Sequence, residues 1–115
     1  MIPLRVPKPL FLVDNMNTPL DINEAIAIYI GYGLNSFPKE DESRLIKKYG
    51  EKNGNDLHAR VRGILKELGE IQPDWNNDSL ITAAEKASRF VASTHPELDE
   101  TAIKAMQWIF TWWWK

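Results

Sequence analysis

The chain reads as an all-α protein of about five helices, packed as a compact bundle or orthogonal array behind an extended N-terminal arm. Three observations predict this class. Apolar residues recur at helical spacing in five separate segments. Short tracts rich in Gly, Pro, Asn and Asp punctuate them. The apolar run Leu10–Val13 is the sole strand candidate and has no second one to pair with.

Residues 1–20 form the arm, because prolines at 3, 7, 9 and 19 fix φ, remove amide donors and turn their predecessors away from helix. The first helix is expected over Asp21 to Tyr32. Asp21 can cap it, Glu24 stands at capping-box spacing, and Gly31 and Gly33 supply a left-handed end. Apolar residues cover most of its circumference, which predicts a central position. A second helix runs from near Pro38 to just before Gly50, with Glu40, Asp41 and Glu42 in its first turn and Lys47 and Lys48 in its last, complementing the helix dipole. Asn53-Gly54-Asn55 reads as a turn, and Asn55 as the cap of a third helix over Asp56 to Leu68. Its apolar face is Leu57, Val61, Ile64, Leu65 and Leu68.

A polar loop follows, Glu70 to Asn77. The fourth helix starts near Ser79, capped by Asp78 or Asn77, and ends at His95-Pro96; its stripe is Leu80, Ala84, Ala87 and Val91, flanked by Ile81 and Phe90. Ala83, Ala84, Ala87 and Ser88 would permit close helix approach. The fifth helix is announced by Leu98, Asp99 and Ile103, the arrangement of a hydrophobic staple around a cap. It carries Met106, Ile109 and Trp113 on one line, and Trp108 and Trp112 on the next. Neighbouring residues of a helix diverge by about 100°, so the run Trp112-Trp113-Trp114 cannot face one core and leaves a tryptophan for solvent, the arm or another chain.

Composition bounds the function. The 115 residues suit one domain, and 43% hydrophobic with 26% charged residues is ordinary for a folded globule. With no cysteine, disulfides and thiolate zinc sites are excluded. Arg5, Lys8 and the short run Leu10–Val13 imitate a signal peptide, but Asp14 stops the run after four residues, and no stretch approaches the ~20 apolar residues of a membrane helix. A cytoplasmic protein without membrane contact is expected.

The chemistry-bearing residues are few. His58 and His95 share no metal spacing, and Asp56 is too near in sequence to orient His58 as a base. Phosphate loops, nucleophile elbows and calcium loops are absent, so no catalytic residue, metal, cofactor or small-molecule substrate is assigned. Two surfaces remain. Between Arg44 and Lys66 the local charge is +5, against −7 elsewhere, which makes Arg44, Lys48, Arg60, Arg62 and Lys66 a candidate nucleic-acid surface. Solvated helix faces are the plainer reading, because no row of stacking aromatic residues interleaves with these bases. In the loop, Glu70, Asp74, Trp75 and Asp78 combine carboxylates with a tryptophan, as binding hot spots do. The plain alternative folds Trp75 into the core.

The compact helical segment Ile22 to Gly33, the Pro73-Asp74-Trp75 loop and the ending Ile109-Phe110-Thr111-Trp112-Trp113-Trp114-Lys115 together resemble the small helical immunity proteins encoded beside bacterial polymorphic toxins, including those of contact-dependent growth inhibition. The Ser-Tyr-Tyr-Pro run of colicin DNase immunity proteins is missing. The resemblance implies stoichiometric binding to a cognate toxin domain, with a cationic nuclease suited to a net charge of −2. Glu70, Asp74, Trp75 and Asp78 are the contact set expected from composition.

Overall fold

Hydrogen-bond demand at the end of the first helix sets the course of the chain. In the computed structural model, which describes residues 20–115, α1 spans Ile22–Ile30. Asp21 caps it, accepting from the Asn23 amide at 2.9 Å, and Gly31 closes it at φ +82° with its amide donating to Ala27 and Ile28 carbonyls. The last carbonyls of α1 would otherwise lack donors. The Lys39 amide donates to Ile30 and the Asp41 amide to Tyr29, at 2.9 and 3.0 Å. Arg44 adds its guanidinium to the Ile28 carbonyl at 3.2 Å.

That demand corrects the second helix. The Lys39 and Asp41 amides serve α1 instead of a helix opening at Pro38, so α2 is only Ser43–Tyr49. Asp41 caps its start, accepting from the Ser43 amide and hydroxyl at 3.1 and 2.6 Å. The expected Glu24 capping box is also absent: Glu24 instead accepts from the Tyr49 hydroxyl at 2.7 Å, tying α1 to the end of α2.

The third helix starts earlier than its turn-like sequence predicts. α3 runs over Glu51–Gly69, straight through Asn53-Gly54-Asn55. A Cβ on Gly54 would lie 2.7 Å from the Ile46 Cα. The bare glycine lets α3 pack onto the α2 backbone, and this tertiary contact overrides the local turn preference. Asn55 therefore caps nothing.

α4 spans Leu80–Thr94 and α5 spans Glu100–Trp113. The α4 cap is Ser79, not Asp78 or Asn77: the Thr82 amide donates to the Ser79 hydroxyl, and the Ser79 amide to the Thr82 hydroxyl at 2.8 Å. Ala83, Ala84, Ala87 and Ser88 are buried as expected, whereas Ile81 and Phe90 are exposed and do not flank the core stripe. Asp99 caps α5, and Leu98 and Ile103 are both buried beside it. No strand occurs among the described residues. The arm, apart from Leu20, lies outside them.

α3 packs on α2, α5 packs on α4, and α1 packs against α2, α3 and α5. Ala25, Ile26 and Ile30 of α1 meet Leu68, Ala102, Met106 and Phe110 in one core, all without solvent exposure. Asn23 fastens the start of α1 to the loop between α4 and α5. Its amide nitrogen donates to the Glu97 carbonyl at 3.0 Å, and its oxygen accepts from the Asp99 amide at 2.8 Å.

Candidate functional site

Asp74 builds the loop between α3 and α4. Its carbonyl accepts from the amides of Asn77 and Asp78 at 2.9 and 2.7 Å. Its carboxylate accepts from the Asn77 side chain at 2.7 Å and the Asn76 amide at 3.2 Å. These bonds, the Asn77 side chain first, hold the Asp74 carboxyl below the usual carboxylate range. A turn fixed this way presents Trp75, a residue that stays 51% exposed. Its edge rests on Trp114 with centroids 5.9 Å apart, a T-shaped contact.

The acids around Trp75 are engaged within the chain. Asp78 has an almost buried side chain with one oxygen 2.7 Å from the Lys86 ammonium, which it pushes above the ordinary lysine range. Glu70 lies 2.7 Å from Lys66. The loop thus offers an aromatic face in which the carboxylates set shape more than charge.

The five bases of the alternative surface do not gather. Arg44 points inward to the Ile28 and Lys39 carbonyls; Lys48 faces Glu24 at 3.6 Å; Arg60 faces Glu97 at 3.3 Å. Only Arg62 and Lys66, one turn apart, share a feature. They line an open groove of about 740 Å³ along α3, floored by Ala59, Gly63 and Gly69 and walled by Trp113 and Trp114. Arg62 makes no ion pair among the described residues. Glu40 stands at the rim, accepting from the Tyr29 hydroxyl at 3.0 Å.

This groove is what sequence reasoning missed. A signal existed: Ala59 and Gly63 repeat at four residues on the polar side of α3, in step with Arg62 and Lys66. A glycine inside a strong helix costs about 0.5–1 kcal/mol relative to alanine, so it marks space that something else uses. The wall comes from α5, too far along the chain for local pattern to reveal.

The tryptophans divide as their helical angles require. Trp108 is half-buried against Tyr32, with centroids 5.6 Å apart. Trp112 meets Phe37 and lies under the Lys115 ammonium, 3.9 Å from its ring centre. Trp113 and Trp114 turn the other way, towards the groove.

His58 has an orienting carboxylate after all, from α2's N-terminal flank: its Nδ1 lies 3.1 Å from Glu42, and its Nε2 3.4 Å from the Tyr29 hydroxyl. Burial first, then the bond to Glu40, pushes the Tyr29 phenol up to about 12. A phenol so raised is a poorer acid at neutral pH, and the cluster ties α1, α2 and α3 together. His95 stands 3.0 Å from Glu67 and shares a separate hollow with Arg60. Among the described residues, no three His, Asp or Glu side chains converge as metal ligands, and no helix is long and apolar enough to cross a membrane. Compared with known proteins, the chain matches no family model, no curated protein and no solved structure.

Proposed function

We propose that the chain is an immunity protein, which binds a cognate bacterial toxin domain in the cytoplasm and neutralises it as a stoichiometric complex, without chemistry of its own. The observation that carries this reading is Trp75, half-exposed on a turn locked by Asp74 and propped on Trp114. A tryptophan held rigid before binding loses little entropy on contact, and such anchors dominate protein interfaces. The −7 charge outside residues 44–66 would steer a cationic nuclease from a distance, while the aromatic face makes the close contact.

The test is a pull-down of the tagged chain from its host, with nuclease treatment and mass spectrometry. A toxin domain at equal stoichiometry is the expected result. Trp75→Ala should then weaken the complex by roughly 30-fold while leaving thermal unfolding in place, since the ring contributes mainly at the surface. Recovery of the chain by itself overturns the reading. One observation favours a second one: Trp113 beside Arg62 and Lys66 supplies the stacking ring that a single-stranded nucleic acid needs. That reading requires affinity falling steeply with salt.

A further inference from the structure

We propose that the α3 groove receives an acidic segment of the partner protein, with one carboxylate on Arg62 and an adjoining apolar side chain on Trp113. Only the partner's identity rests on the immunity reading. Arg62 is a guanidinium without an ion pair among the described residues, at the edge of a groove rather than on an open helix face. Its planar fork suits a carboxylate held by two parallel bonds. Lys66, one turn along, is shared with Glu70 at 2.7 Å and adds half-compensated positive charge.

The shape agrees with the charge. Nothing lies within 4 Å of where a Gly63 Cβ would stand, so the floor is open to an incoming chain. Trp113 is 41% exposed and faces that floor across Gly69, whose Cβ position is 3.7 Å from its ring. About 740 Å³ accommodates several side chains. A phosphodiester strand fits less well. It needs a row of bases, whereas here Arg62 is one unpaired cation, Lys66 is shared with Glu70, and Glu40 adds a carboxylate to the lining.

The probe is a displayed library of random dodecapeptides selected on the folded full chain. Peptides with Asp or Glu next to an aromatic or aliphatic residue are the expected winners. Titration of the best one should follow tryptophan emission. Arg62→Gln should weaken it by roughly tenfold or more, the loss typical of a charge-assisted pair. Gly63→Leu fills the groove without touching the core and should abolish binding, while Arg89→Gln, paired with Glu100 on α5, should change nothing. No enrichment, winners without acids, or equal binding by the Gly63→Leu chain overturns the assignment. So does tighter binding of oligothymidylate, or self-association that Gly63→Leu abolishes. If a toxin domain is recovered but binds Arg62→Gln and Gly63→Leu chains unchanged, the groove assignment fails and the immunity reading stands. If no toxin is recovered, the peptide titration still judges the groove.

Discussion

Two glycines of α3, nine positions apart, have opposite meanings. Gly54 is pressed on the Ile46 backbone, where a Cβ would sit at 2.7 Å; Gly63 faces empty space. Gly54→Ala should therefore destabilise by about 1–3 kcal/mol through overpacking. Gly63→Ala should stabilise by about 0.5–1 kcal/mol, since only helix propensity changes. Urea unfolding followed by tryptophan emission separates the two signs. Asp74 gives a pH-dependent case. Its carboxyl is held below the ordinary range in the folded chain, so its contribution is present above the unfolded carboxylate value and is lost as pH falls through the folded one. Asp74→Ala should lower the unfolding midpoint near neutral pH, and the gap from the parent should narrow as acid takes the pH below the ordinary carboxylate range. A gap of constant size from neutral to acid would mean the turn does not depend on the ionised carboxylate. The candidate site was half legible at this scale: a polar turn carrying Trp75 follows from the sequence, but the pairing of Asp78 with Lys86, eight residues on, does not show in a linear pattern.

Among the elements, α5 was read correctly from its start because all its signals are local: Leu98, Asp99 and Ile103 lie within six consecutive residues. Asp99→Ala should cost about 1 kcal/mol, the usual loss for a carboxylate cap, measurable as a shift of the urea midpoint. The starts of α2 and α3 escaped local reading for one shared reason, that the deciding partners are remote in sequence. Lys39 and Asp41 answer to carbonyls of α1, and Gly54 answers to the α2 backbone. Turn chemistry at Asn53-Gly54-Asn55 was read soundly and was outweighed by packing. The groove belongs to the same class. It exists only once α5 lies along α3 and brings Trp113 and Trp114 beside Arg62.

Over the whole molecule, the all-α class and the central place of α1 follow from periodicity alone, because α1 is apolar nearly all round. Phe110 is the largest fully buried apolar side chain. Phe110→Ala should cost about 3–5 kcal/mol, a large share of the 5–15 kcal/mol that holds a domain of this kind together, and calorimetry would show a strongly lowered melting temperature. The central seat of α1 also has a consequence in time. Its buried face is covered by α3 and α5, and its first turn is fastened through Asn23 to Glu97 and Asp99. A ribosome adding about 5–20 residues per second delivers α1 first and its cover last. Until α5 is made, the nascent chain therefore carries an Ile-rich helix with part of its apolar face uncovered, and the risk of misassembly falls in synthesis rather than in the finished protein.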